Sequence, residues 1–395
     1  MKKIFVFVMA MMCAVCASAH DFEVDGIYYN ILDEEEVEVT YARKAKNKYS
    51  DTIVIPSTVI YEGTTYHVTM IGDGAFAYCY YLESVTIPSS VVEIDEYAFS
   101  HCYSLASITV EEGNPFYNSQ DACNAIIETA TNTLIVGCKN TIIPSTVTTI
   151  GDWAFRGCYG LGDINYQDTV AFAELKYDYD DSRCTSLTIP NTVTKIGVGA
   201  FSYCRSLEFV TIPSSVTEIG DWAFAYCFYL ESVTIPNSVT EIGDGAFAYC
   251  IYLESVTIPS SVTEIREYAF RYCSNLRTLT LSEGLTSIGY NAFENCTSLE
   301  SITLPNSVRD IDNDAFRACK SLRSVTIPKS LNEIQENAFK GCKSLDTVII
   351  PSEVVWYKNY AWENEETDIF FEDCKKLYIS KKAFPSRTKI IVEKE

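Results

Sequence analysis

The chain is 395 residues long and carries 53 acidic against 30 basic side chains, a formal net charge of −23, with only 3 histidines. So anionic a protein repels phosphate backbones and anionic lipid surfaces, which sets nucleic acids and membranes aside as partners. A hydrophobic fraction of 47% with 21% charged residues is that of a folded chain, which excludes global disorder.

The first nineteen residues follow their own logic. Lys2 and Lys3 precede an apolar run from Ile4 to Val15 that closes on Ala17, Ser18 and Ala19. A positive start, a short hydrophobic segment and small residues at its end make a secretory signal peptide over 1–19, with cleavage expected after Ala19. No later stretch reaches the roughly 18 consecutive apolar residues that a membrane span needs. The expectation is export: a secreted or cell-surface protein, with the periplasm as a further address.

Residues 20–71 hold β-rich words, Ile27 to Ile31 and Tyr66 to Thr69, without a repeat. An N-terminal β-rich cap is expected there, because the end of a repeat array exposes apolar core and unpaired strand edges.

From residue 72 to 354 the sequence repeats itself. Cys204, Cys227, Cys250, Cys273, Cys296, Cys319 and Cys342 are each 23 residues apart, and the word Ala-Phe-x-x-Cys occurs ten times. Within a unit such as Ser232, Val233, Thr234 and Ile235, alternation turns Val233 and Ile235 inward and leaves Ser232 and Thr234 outside, the period-2 pattern of a half-buried strand. The same inward slots hold Val85 and Ile87, Val210 and Ile212, Leu279 and Leu281, Ile302 and Leu304, Val325 and Ile327. Thr86, Thr211, Thr257 and their equivalents fill the outward slot, and Pro236 ends its strand for want of an N–H. Val239 and Ile242 then return to the interior, and Gly243 permits a tight bend. The pair Ala246 and Phe247 is expected in a short helical or 3₁₀ turn, with the phenylalanines forming an apolar spine.

The rhythm breaks near 105–143, expected to be a longer, degenerate coil with a turn at Glu111 to Pro115, and near 162–186, an insertion rich in tyrosine and aspartate. Residues 355–395 read as an interrupted last repeat followed by a C-terminal cap. A period in the low twenties with aliphatics in fixed slots predicts a leucine-rich solenoid. The expected class is α/β or mainly β: a right-handed superhelix with a parallel sheet, about 23 residues per coil, helical or 3₁₀ turns and capped ends.

The Ser-Val-Thr-Ile-Pro and Ile-Gly-Asp-x-Ala-Phe-x-x-Cys words resemble those of the BspA-like bacterial leucine-rich repeat proteins over roughly residues 50–355. The Phe22 to Tyr29 and Asn114 to Asn118 segments are similar to exported members of that family. The resemblance implies a surface-exposed or secreted protein that adheres to host proteins or other cells. It brings no catalytic motif to map onto these residues.

Chemistry-bearing residues point away from catalysis. Ten cysteines share one repeat slot, so parallel side chains on neighbouring coils are expected as buried free thiols rather than disulfides. Cys138 and Cys184 take the slot where other coils place Leu, and Cys123 is the least constrained. Zinc binding needs thiolates close together, and no Cys-x-x-Cys follows the signal segment. A His101–Cys102 dyad is disfavoured because adjacent residues point apart. Asp310, Asp312 and Asp314 suggest a calcium loop, but Ile311 stands in a core slot and Ala315 where Gly is wanted, so a solvated acidic turn is expected. No catalytic residue, metal or cofactor is predicted.

Aromatics cluster around the cysteine in some coils. Tyr78, Tyr80 and Tyr81 flank Cys79; Tyr226, Phe228 and Tyr229 flank Cys227; Tyr249 and Tyr252 flank Cys250; and Tyr272 precedes Cys273. By Cys296, Cys319 and Cys342 these sites hold Asn295, Thr297, Ala318, Lys320, Gly341 and Lys343. Two roles fit them: stacking between coils, or a strip that binds a protein or glycan ligand. The expected function is a non-enzymatic adhesion or protein-binding surface for host matrix protein, mucin or other cells, with extracellular proteins or glycans as partners. The alternative is a structural spacer of the envelope or of a surface complex.

Overall fold

In the computed structural model, the described residues are 20–41, 49–160, 185–350, 354–359, 375–380 and 389–392. The expected signal peptide, most of the 162–186 insertion with Cys184, and much of 355–395 with Cys374 lie outside them. The chain forms a parallel-sheet β-solenoid of about 11 turns at about 23 residues per turn, with almost no helix.

Two strands make each coil. The longer one carries the Ser-Val-Thr word: Leu207–Thr211, Ser232–Thr234, Ser255–Ile258 and Thr278–Leu281 lie side by side in parallel. The register aligns Thr211 with Thr234 and Thr257 with Thr280, which builds the expected outward threonine column. The shorter strand is a two-residue Glu-Ile step, so Lys195–Ile196, Glu218–Ile219 and Glu241–Ile242 form a second parallel face. All the inward aliphatics named from the alternation are buried.

The third side departs from expectation. The Ala-Phe segment is a succession of hydrogen-bonded turns, and the only 3₁₀ helix among the described residues is Gln120–Ala122, in an irregular coil. The cause is a left-handed residue on either side of the Ala-Phe pair, in every such coil but that of Ala98 and Phe99: Trp222 and Tyr226 have φ of 56° and 61°. Such residues cannot continue a right-handed helix. The backbone instead bonds to the next coil, with Trp222 N–H donating to Asp244 O at 2.7 Å, Phe224 N–H to Ala246 O at 2.8 Å and Tyr226 N–H to Ala248 O at 2.8 Å.

The phenylalanine spine is present. Phe155, Phe201, Phe224, Phe247, Phe270, Phe293, Phe316 and Phe339 stack face to face with centroids 5.1 to 5.4 Å apart. A shorter stack, Phe76 on Phe99 at 4.9 Å, continues into the N-terminal sheet through Tyr49, whose ring lies 4.7 Å from Phe76. There Phe22–Val24, Ile27–Ile31 and Glu36–Thr40 pair antiparallel, and Thr64–Ile71 hands the sheet on to Glu93–Ile94 in parallel.

Between the two stacks, the region expected as a degenerate coil is an antiparallel meander of Tyr117–Asn118, Ala125–Glu128 and Thr133–Gly137. Gly137 takes the phenylalanine position: its N–H donates to Ala154 O at 2.8 Å, as Phe155 N–H does to Ala200 O. A side chain is excluded there, since an added Cβ would stand 2.0 Å from the Phe155 ring. Successive residues of Ala125–Glu128 face opposite ways: Ala125 and Ile127 join the core of the later coils, Ile126 that of the earlier ones. A strand buried on both faces carries apolar residues in both registers, which masks the alternation that marks the other coils.

Candidate functional site

The turn side of the solenoid gathers the aromatic residues. The residue before each repeat cysteine is left-handed in every coil: Tyr78, His101, Gly157, Tyr203, Tyr226, Tyr249, Tyr272, Asn295, Ala318 and Gly341 all have φ between 59° and 79°. A non-glycine residue in this conformation costs roughly 1 kcal/mol or more. Asn and Gly are the inexpensive solutions, and five coils use tyrosine instead.

These tyrosines form ladders. Tyr203, Tyr226, Tyr249 and Tyr272 stack in sequence at 4.4, 4.6 and 4.7 Å. Tyr78 heads the same column and stacks on His101 at 4.7 Å. His101 reaches Tyr203 at 5.4 Å across Gly157, where an added Cβ would lie 2.3 Å from the imidazole. Outside this column, Tyr80 stacks on Tyr103 at 4.8 Å and Tyr229 on Tyr252 at 5.3 Å. Phe228 meets Tyr226 edge-on at 6.1 Å. Tyr81 opens the strand Tyr81–Ile87 and is exposed. Of the candidates from sequence, Tyr226, Tyr249 and Tyr272 thus belong to one ladder; the others occupy its edge, its far end or flanking columns.

Several participants were not singled out from sequence. Tyr203 and His101 share the ladder slot, and writing that one column through every coil would have found them. A second column, four residues earlier, alternates bulk with space: the ring of Trp153 covers Gly199 and that of Trp222 covers Gly245, leaving an added Cβ 1.9 and 2.5 Å from the indoles. Tyr268 continues it, 6.2 Å from Trp222. Arginines lie over the rings. Arg156 stands 4.7 Å from the Trp153 ring and 5.3 Å from Tyr97, Arg205 5.2 Å from Phe228, and Arg271 5.3 and 5.1 Å from Tyr268 and Tyr272. Such contacts contribute about 0.5–2 kcal/mol each, more as the pair loses water.

The titratable groups here are poorly suited to catalysis. His101 is pushed down to about 4, first by burial and then by Arg156 and Arg205, so it is neutral near pH 7. Cys102 donates its S–H to Phe76 O at 3.0 Å and makes no dyad with its neighbour. Each later repeat thiol does likewise, Cys227 to Phe201 O and Cys250 to Phe224 O, both at 3.2 Å. Among the described residues twelve cysteines are buried and free, and burial pushes Cys79 and Cys138 up to about 11. Ile311 is fully buried between Asp310 and Asp312, and Asp314 lies 3.6 Å from Arg317. Among the described residues no group of three or more His, Cys, Asp or Glu is placed to hold a metal ion, and no helix is long and apolar enough to cross a membrane.

A family profile described as the BspA type leucine-rich repeat region, six copies, matches residues 52–170, 127–254, 174–297 and 240–368. Among solved structures, a leucine-rich repeat protein from Bacteroides ovatus is 26% identical, covering 95% of this chain and 100% of that one with a TM-score of 0.36. A leucine-rich cell surface protein from Faecalibacterium prausnitzii is 25% identical over 83% of this chain and 94% of that one, with a TM-score of 0.42. The pneumococcal vaccine antigen PcpA is 19% identical over 95% and 98%, with a TM-score of 0.45. No curated protein matches the chain.

Proposed function

The chain belongs to the BspA-type leucine-rich repeat family, and from that premise we propose that it is an exported, non-enzymatic binding protein whose turn side holds an extracellular protein or a glycan. The observation that carries this reading is the contrast between coils. The late coils keep the phenylalanine stack, the thiol bonds and the left-handed turn with Asn295, Ala318 and Gly341 in the ladder slot. Aromatic residues are therefore dispensable to the coil, yet Tyr203 to Tyr272 fill that slot in four consecutive coils at a backbone cost. Tyrosine with arginine is the pairing enriched where proteins bind their partners, because each offers area and directed polar contacts at low entropy cost. Export rests on the charged, apolar and small-residue pattern of 1–19 and on the family.

The test is a screen of the purified chain against extracellular-matrix proteins, mucins, bacterial surface proteins and glycans. It is followed by the double substitution Tyr226→Asn and Tyr249→Asn. Binding should be lost, while stability shifts by no more than about 1 kcal/mol, since lost stacking of about 0.5–1.5 kcal/mol per pair is offset by relief at φ near 60°. The reverse outcome, lost stability with unchanged binding, would assign the tyrosines to the scaffold. No specific partner anywhere in the screen would make the protein a spacer.

A further inference from the structure

One repeat slot serves as its own control. Two residues before the cysteine, Arg271, Glu294 and Arg317 follow one another in successive coils. Arg271 Nε donates to Glu294 Oε2 at 2.6 Å, and Arg317 lies 4.0 Å from the same carboxylate and 3.6 Å from Asp314. Arg156 occupies this slot between Ser100 and Ser202, which bring no charge. Arg205, three residues beyond Ser202, meets the same ring, so that the two guanidinium groups lie 5.9 and 6.0 Å from Tyr203. The Nε of each is buried without an acceptor, and among the described residues neither arginine has an ion pair within 4.0 Å. Glu96 lines the hollow beside Arg156 but stays outside that reach. Two cations with no ion pair among the described residues thus stand at one tyrosine in a protein of net charge −23.

We propose that Arg156 and Arg205 form an oxyanion site for a carboxylated or sulfated sugar. This deepens the binding role proposed above and rests on it. The guanidinium fork matches the paired oxygens of a carboxylate or sulfate. The surrounding rings of Tyr97, Trp153, Tyr203 and Phe228 suit a sugar better than an acidic peptide. An acidic sugar carries its charge at a fixed distance from an apolar C–H face, so little freedom is lost on binding. A glutamate brings its charge on a flexible stem with no such face.

The experiment titrates the intact protein calorimetrically with sialyllactose, sulfated lactose, lactose and a pentaglutamate peptide. The acidic lactoses bind and lactose does not; Arg156→Gln with Arg205→Gln weakens binding at least tenfold, and Lys195→Gln, on the second parallel face, leaves it unchanged. Ser202→Glu sets a carboxylate beside Arg156, as Glu294 stands beside Arg271, and abolishes acidic-sugar binding without lowering the melting temperature; this variant decides the matter if the double arginine variant does not fold. The proposal is overturned if lactose binds equally, if no acidic sugar binds, if the double arginine variant or Ser202→Glu, folded, binds normally, or if pentaglutamate binds in the sugar's place. A partner from the wider screen that is still captured by Ser202→Glu would leave the broader binding role intact while removing this site.

Discussion

The thiol of Cys250 donates to the carbonyl of Phe224, 26 residues earlier, at 3.2 Å. That oxygen also accepts the N–H of Cys227 in its own coil, so one carbonyl buried beside the aromatic stack is satisfied twice. The recurrent cysteine is therefore a small donor that fits where no larger polar side chain could.

The thiols make stability fall at alkaline pH. Cys79 and Cys138 are raised from 9 to about 11 by burial, so the folded state holds these protons more tightly than the unfolded one. Their contribution is complete below pH 9 and is lost as pH rises from 9 through about 11. Denaturant titrations across this range should show the decline, and the native protein should react with thiol reagents only as it unfolds. Rapid modification of native thiols at pH 8 would contradict this.

His101 acts in the opposite direction. Its folded value of about 4 lies below the ordinary 6.5, so the stability it contributes is present above pH 6.5 and is lost as pH falls through about 4. Thermal melts of wild type and His101→Gln between pH 7 and pH 4 should converge toward the acid end. A constant gap would show that the imidazole does not titrate in this interval.

The indole of Trp222 and the bare backbone of Gly245 are complementary. Gly245→Ala places a methyl group where the ring sits and also strains a residue at φ 59°, so a loss above about 2 kcal/mol is expected. In a Trp222→Ala background the cost should fall to about 1 kcal/mol, the backbone part alone, as a double-mutant cycle by chemical denaturation would show. Equal costs in both backgrounds would refute the contact.

The solenoid was legible because each coil repeats one solution. Val233, Ile235, Val239, Ile242 and Phe247 each solve a burial problem local to one coil, and stacking copies that solution upward. The turn was not legible, because nothing about Tyr226 as a residue type announces a left-handed backbone; only the column containing Gly157, Asn295 and Gly341 hints at it. Arg156 and Arg205 were missed for a related reason: their meaning lies in the lack, among the described residues, of a carboxylate within 4.0 Å, which sequence spacing does not display.

Gly137 interrupts the ring stack, and the meander around it presents one side to each core. Cooperative melting in a repeat array travels through the contact between adjacent rungs. With that contact reduced to a glycine, the N-terminal and C-terminal stretches form two thermodynamic blocks, and heat or mechanical load should release them in separate events rather than along one uninterrupted zipper.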